Sequence, residues 1–75
     1  MIKYKIDVMS ELSKRGYSPS LIREKKWLSQ ATMTNIRKGE HINTNTLNIL
    51  CVLLRCQPND ILEVVPSDEE KIKYF

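Results

Sequence analysis

The chain has 75 residues, of which 41% are hydrophobic and 28% charged, and its formal net charge is +3. This length allows one small domain, because two separate cores would each be too small to offset the entropy of the chain. The longest apolar run, Ile49–Leu54, is much shorter than the roughly 20 residues of a membrane helix, and no apolar stretch near the N-terminus resembles a signal peptide. We therefore expect one globular domain in the cytoplasm, with no membrane contact.

Residues typical of catalytic and metal sites are sparse. The two glycines, Gly16 and Gly39, cannot form a glycine-rich phosphate loop, and the single histidine, His41, has no acid or nucleophile at a telling spacing. Cys51 and Cys56 are five positions apart, a spacing that suits neither a zinc knuckle nor a CxxC redox pair. We expect no enzyme activity, cofactor, small-molecule ligand, metal or disulfide, and two structural thiols in a reducing compartment.

The charge is unevenly distributed along the chain. Residues 1–41 contain nine basic and four acidic residues, whereas residues 42–75 contain three basic and five acidic ones. A basic half on a small domain is what binding to a phosphate backbone requires, since each neutralised phosphate releases counterions. Surplus lysine also serves solubility, so the charge alone is weak support for nucleic-acid binding.

Capping and turn signals predict five short helices. They are helix one at 7–15, capped by Asp7 and closed by Gly16; helix two from Pro19 to Lys25 or Lys26, capped by Ser18; helix three at 30–38, capped by Ser29 and followed by Gly39; helix four from Thr44 to Leu54 or Arg55, capped by Asn43; and helix five, opened by Gln57-Pro58 and holding Ile61 and Leu62.

Helix four has apolar residues on two stripes, one through Leu50 and Leu54 and one through Ile49, Val52 and Leu53. A helix that is apolar on both sides must be covered on both sides. A buried strand could explain the same apolar run, but the cap and the length favour a helix.

The two ends of the chain carry similar short motifs. Ile2-Lys3-Tyr4 and Ile72-Lys73-Tyr74 both alternate with period two, which indicates short β-strands. These strands either pair with each other or are frayed tails. The compact part is predicted at about 6–65, and 66–75 is predicted to be an acidic linker and tail within the same single domain 1–75.

The candidate functional residues are concentrated in 18–39, where two short helices are joined by a turn around Trp27. This arrangement lets the first helix brace against the DNA backbone while the second enters the major groove. The second helix is polar outside Met33 and Ile36, and no acidic residue lies between Lys25 and Gly39. Its Gln and Asn side chains can make paired hydrogen bonds to adenine, and Ala or a Thr methyl can contact the thymine methyl.

With these features the sequence resembles the Cro/cI helix-turn-helix family of phage and bacterial regulators, also called the xenobiotic-response-element type. The resemblance covers about residues 6–65. The matching motifs, in chain order, are Ser18-x-x-Leu21-Ile22, Leu28-Ser29-x-x-Thr32-Met33-x-x-Ile36-x-x-Gly39, Ile42-x-x-x-x-Leu47-x-x-Leu50-Cys51-x-x-Leu54, and Cys56-Gln57-Pro58-Asn59-Asp60-Ile61-Leu62-Glu63, where small members often read C-Q-P-G-D-L-L.

The resemblance implies an all-α, lambda-repressor-like domain of five short helices, with the helix-turn-helix at helices two and three. It also implies binding to double-stranded operator DNA as a homodimer on a pseudo-palindromic site. The base-reading positions of the family fall on Gln30, Ala31, Thr32 and Asn35. The positions that contact phosphate fall on Ser18, Ser20, Ser29, Thr34, Arg37, Lys38, His41, Asn43 and Thr44.

This chain departs from the family in the turn before the recognition helix, where Trp27 stands in place of the usual glycine. Either the turn avoids positive φ, or Trp27 accepts strain in order to pack. We interpret Trp27 as a hydrophobic plug between helices two and three in preference to a base-stacking residue.

The resulting functional hypothesis is a sequence-specific transcriptional regulator that represses by occupying a promoter. The dimer interface would use the terminal strands, the fifth helix with Val64 and Val65, or an uncovered part of the stripe through Val52. The alternative is a protein-interaction module of the same fold, such as an antitoxin or a phage-encoded modulator. RNA binding has little support, because the basic half lacks an aromatic stacking platform.

Overall fold

The computed structural model describes all 75 residues as six helices and a two-stranded sheet. The five helices expected between residues 7 and 62 are confirmed to within one or two residues. None of the helices is long and apolar enough to cross a membrane. The elements are β1 Ile2–Tyr4, α1 Val8–Lys14, α2 Pro19–Glu24, α3 Gln30–Arg37, α4 Thr44–Leu54, α5 Pro58–Ile61, β2 Leu62–Val64 and α6 Asp68–Tyr74.

The first four helices each begin at the predicted cap. In each case the side-chain oxygen of the capping residue accepts a hydrogen bond from the amide three positions later. Such a bond satisfies one of the amides that a helix N-terminus leaves unpaired. The four pairs and their distances are Asp7 with Ser10 at 3.2 Å, Ser18 with Leu21 at 3.2 Å, Ser29 with Thr32 at 3.1 Å, and Asn43 with Thr46 at 2.8 Å.

The same four helices end in a common turn, the Schellman motif, which needs one residue in the left-handed region. That residue donates its amide to the carbonyl three positions earlier, and the next residue donates to the carbonyl five positions earlier. The left-handed residues are Gly16 with φ 89°, Lys26 with φ 58°, Gly39 with φ 74° and Arg55 with φ 53°. Two of the four turns therefore use glycine and two use a long basic residue, which carries a strain that glycine would not.

The hydrophobic core draws one fully buried side chain from each of the first five helices. These five side chains are Leu12, Ile22, Met33, Leu50 and Ile61. Burying an aliphatic side chain of this size contributes about 1.5–3 kcal/mol. The core therefore holds α3 against the rest of the domain through Met33, and the polar side of α3 stays outside.

The two chain ends neither pair with each other nor are both frayed tails, the two alternatives that the sequence left open. Ile2–Tyr4 is a strand, as predicted, but it pairs antiparallel with Leu62–Val64, with Ile2 opposite Val64. Residues 68–74 form α6, in which no side chain is buried. Ser67 and Glu70 start this helix by capping each other, with hydrogen bonds of 3.0 and 3.1 Å. The fold therefore has a helix where the sequence predicted an acidic linker and a strand. It is mostly helical, with six helices in place of the five expected and one small two-stranded sheet.

The expectation that α4 is covered on both sides is also wrong in part. Leu50 and Leu54 are buried, but Val52 is 65% exposed. Trp27, Ile49 and Val52 line a shallow apolar groove of about 310 Å³ on this outer side of the helix. One stripe of α4 thus builds the core, whereas in the other Ile49 and Leu53 pack partly against the core and Val52 lies on the surface.

Candidate nucleic-acid interface

The turn between α2 and α3 fixes the position of the recognition helix. Lys26 takes the left-handed conformation there, and the amide of Trp27 donates to the carbonyl of Ile22 at 3.1 Å. Leu28 follows and is buried, with 5% of its surface exposed. The buried leucine ties the turn to the core, and Ser29 then caps α3. The sequence left two alternatives, a turn without positive φ or strain at Trp27, and the structure has the positive φ one residue earlier, at Lys26.

Trp27 is a surface aromatic residue more than a plug. Its ring meets the ring of Tyr17 edge to face, with centroids 5.9 Å apart and planes at 72°. It remains 37% exposed and lines the groove beside Val52 on α4. Of these two neighbouring residues, Leu28 is the one buried in the core.

The faces of α3 follow from helical spacing. Met33 and Ile36 are buried and turn the opposite side of the helix outward. At 3.6 residues per turn, Ala31 and Asn35 lie one turn apart on the side away from Met33. Thr34 and Lys38 flank them. The centre of the outward face therefore consists of a small apolar side chain and a carboxamide, the two chemistries that can contact thymine and adenine.

All thirteen residues predicted to contact DNA reach the surface. Thr32, Thr34 and Asn35 are half-buried, and the other ten are exposed. The ten exposed residues are Ser18, Ser20, Ser29, Gln30, Ala31, Arg37, Lys38, His41, Asn43 and Thr44.

Several of these side chains already have hydrogen-bond partners on the protein. The Ser29 hydroxyl donates to the Thr32 hydroxyl at 2.9 Å, and the Gln30 amide makes a long contact of 3.5 Å with the Thr34 hydroxyl. The Thr32 hydroxyl keeps its own proton for a DNA acceptor, whereas Ser29 uses its proton within the helix start. The half-buried Asn35 has no side-chain hydrogen-bond partner on the protein, so its carboxamide is free to donate to and accept from a base.

The starts of α2 and α4 offer donors to phosphate. The Asn43 side chain uses its oxygen to cap α4, so its NH₂ group remains a donor. Ser18 likewise accepts from a backbone amide and keeps its hydroxyl proton. The first turns of α2, α3 and α4 contain no acidic residue. Their positive helix ends are therefore not neutralised by the chain itself.

A residue that the sequence analysis missed positions the loop between α3 and α4. The Tyr4 hydroxyl on β1 donates to the carbonyl of Glu40 at 2.9 Å. Partial burial raises the pKa of Tyr4 above its usual value, so the hydroxyl keeps the proton that it donates. This bond holds the loop that carries Lys38 and His41. No local pattern signals this bond, because Tyr4 and Glu40 are far apart in the chain and the alternation of Ile2-Lys3-Tyr4 indicates only a strand.

The geometry is that of a helix-turn-helix with an outward, acid-free recognition helix, and comparison with known proteins agrees. A model of the Cro/C1-type HTH DNA-binding domain matches residues 5–67. The chain therefore belongs to the Cro/C1-type HTH DNA-binding domain family. It is 39% identical over 67 residues to the uncharacterized HTH-type transcriptional regulator YozG of Bacillus subtilis (strain 168), an alignment that covers 87% of this chain and 76% of that protein. No solved structure matches the chain.

Proposed function

We propose that the protein is a sequence-specific transcriptional regulator that represses by occupying its operator. The observation that carries the proposal is the outward face of α3, which is polar, free of acid and held by the buried Met33 and Ile36. Membership of a DNA-binding family and similarity to a protein named as a transcriptional regulator support it.

The base-reading role falls to Gln30, Ala31, Thr32 and Asn35. Asn35 is central, because its carboxamide can bond the N6 and N7 positions of adenine together. Ala31 lies one turn away and offers a methyl group to thymine. Gln30 must give up only its long contact with Thr34 in order to reach a base. We therefore expect the half-site to contain neighbouring thymine and adenine bases that this face of α3 contacts.

The phosphate-contacting role falls to residues on three sides of α3. Ser18 and Ser20 approach the backbone from α2, and Asn43 and Thr44 from the start of α4. Arg37, Lys38 and His41 supply donors after the recognition helix, and Ser29 and Thr34 supply hydroxyls along it. Contacts of this kind fix orientation on the duplex but carry no sequence information.

We also propose that the protein binds as a homodimer, since one copy offers one recognition helix and thus one half-site. One candidate dimer interface consisted of the two terminal strands. Residues 68–74 form the helix α6, so this candidate no longer applies. The groove lined by Trp27, Ile49 and Val52 is the surface we assign to the second copy. Val52 at 65% exposed is its most accessible apolar side chain.

The interface assignment is tested by placing a charge in the groove. Val52→Glu should lower the dimer fraction in sedimentation velocity by burying a carboxylate at the contact. The matched control is Ile72→Glu on α6, which changes an apolar residue that is 84% exposed on a different surface. If only the Ile72 variant dissociates, the interface lies on α6 and our assignment is wrong.

The base-reading assignment is tested by fluorescence anisotropy on a selected operator and on point variants of it. Asn35→Ala should cost about 1–3 kcal/mol and remove discrimination at one base pair. Lys38→Ala should weaken binding to all sequences alike and reduce the salt slope by about 1. Glu69→Ala on α6 is the control and should leave affinity unchanged. Equal behaviour of the Asn35 and Glu69 variants would instead favour a protein-interaction module.

A further inference from the structure

Cys51 and Cys56 lie on either side of the left-handed turn at the end of α4. The amide of Cys56 donates to the carbonyl of Cys51 at 3.0 Å, and that of Arg55 donates to Val52 at 3.3 Å. In this motif the side chains of the two residues five positions apart, whose backbones share a hydrogen bond, commonly contact each other. Only in α4 are both of them cysteine; the corresponding pairs in α1, α2 and α3 are Leu12 with Tyr17, Ile22 with Trp27, and Asn35 with Glu40.

The left-handed residue is what brings the two cysteines together. In a regular α-helix, residues five apart point about 140° away from each other and are too distant to bridge. Arg55, with φ 53°, folds the chain back so that the backbones of Cys51 and Cys56 are hydrogen-bonded directly. Short separation of the two backbones is one geometric requirement for a disulfide, and Cβ atoms that point toward each other are the other.

Both thiols are free and neither is sealed in the core. Each is half-buried, and both line an open groove along α4 that also touches Val52 and Pro58. Burial raises the pKa of the Cys56 thiol, and the neighbouring Cys51 raises it further. The two sulfur groups are thus near enough to influence each other and accessible to a small reagent.

We propose that Cys51 and Cys56 form a reversible dithiol–disulfide pair that closes across the end of α4 when the protein meets a low-molecular-weight disulfide. Neither DNA binding nor the proposed repressor function is needed to infer this pair, although its groove shares Val52 with the surface assigned to the second copy. In a reducing compartment such a pair rests as two thiols, and an oxidising episode closes it.

The closing reaction is two exchange steps. A thiolate of one cysteine attacks the small disulfide, forms a mixed disulfide and displaces one small thiolate. The thiolate of the other cysteine then attacks the protein sulfur of the mixed disulfide, which forms the Cys51–Cys56 bond and releases the second small thiolate. The two protons lost by the protein thiols go to the two released thiolates. Two protein thiols are oxidised and one small disulfide is reduced to two thiols.

The raised pKa of Cys56 sets the conditions for closing. At neutral pH little of that thiol is ionised, and the thiolate is the reacting form. The pair should therefore close slowly at neutral pH and faster as the pH rises. This behaviour suits a pair that stays reduced under ordinary conditions.

The test is to equilibrate the full chain with defined mixtures of reduced and oxidised glutathione, once folded and once in concentrated urea. Alkylation followed by mass spectrometry gives the fraction of protein in the intramolecular disulfide. If the fold preorganises the pair, the equilibrium constant for closing should be at least about tenfold larger in the folded protein than in urea. By linkage, the disulfide then stabilises the fold by the same factor.

A ratio at or below one would overturn the proposal, because it would mean that the folded geometry opposes closing. Cys51→Ser and Cys56→Ser are the matched controls, and each should stop at the mixed disulfide with glutathione. The proposal also fails if the wild-type protein itself accumulates only the mixed disulfide. Since the main comparison uses the unmodified chain, it does not depend on whether either variant folds.

Discussion

Replacing Lys26 with glycine should stabilise the fold, although it removes a side chain and a charge. Lys26 ends α2 with φ 58° in the turn that leads into the recognition helix. A non-glycine residue in the left-handed region costs roughly 1–2 kcal/mol. Glycine removes this cost but adds about 0.5–1 kcal/mol of backbone entropy to the unfolded chain. The expected net gain in the free energy of unfolding is about 0.5–1 kcal/mol.

Urea denaturation followed by far-UV circular dichroism measures the effect, with Lys26→Ala as the matched control. The alanine variant also loses the charge and the long side chain but keeps the strain, so the difference between the two variants isolates the backbone term. Gly39→Ala is the reverse experiment. An added Cβ there meets no atom within 4 Å, so its destabilisation of about 1 kcal/mol comes from backbone strain alone. Equal stability of the Lys26→Gly and Lys26→Ala proteins would refute the reasoning.

Three further predictions concern the ends of the chain and the core. The N-terminal ammonium group of Met1 hydrogen-bonds to Glu70 and, together with the Ser67 amide, lowers the Glu70 pKa from 4.5 to about 2. Because the folded pKa is depressed, this contact should stabilise the fold fully above about pH 4.5 and be lost toward pH 2; a carboxyl NMR titration midpoint near 4.5 would contradict it. Leu50→Ala should cost about 2–5 kcal/mol in urea denaturation, since the side chain is fully buried, and a loss below 1 kcal/mol would mean that the core collapses around it. Tyr4→Phe should cost about 1 kcal/mol and weaken DNA binding without changing base preference, as measured by anisotropy; an altered preference would show that Tyr4 acts on α3 itself.

The part of the fold that local signals encode was predictable. Asp7, Ser18, Ser29 and Asn43 each cap the helix that the sequence assigned to them, because capping depends on a side chain and an amide three residues apart. Gly16 marked a helix end for the same local reason. The ends of α2 and α4 were placed within one or two residues, but the left-handed conformation of Lys26 and Arg55 was not predicted, since a basic residue in that region is uncommon.

The errors lie where local patterns conflict or where pairing is long-range. Ser67 and Glu70 have the spacing of a capping box, but the alternation of Ile72-Lys73-Tyr74 drew the interpretation toward a strand. β2 is three residues long and its partner lies near the other end of the chain, so no local pattern identifies it. At the candidate interface, helical spacing alone predicts that the polar residues of α3 face outward. The anchoring of the following loop by Tyr4 depends on tertiary contact and could not be read from spacing.

Selection from a random DNA library, performed with the purified protein at two salt concentrations, tests the central claim most directly. We predict that the retained DNA contains an inverted repeat whose half-sites lie about one helical turn apart, and that the repeat is recovered at both salt concentrations. Such a result would show that the protein reads bases as a dimer. Binding without a recoverable motif, lost as the salt concentration rises, would contradict the account, because the basic half would then supply backbone attraction alone.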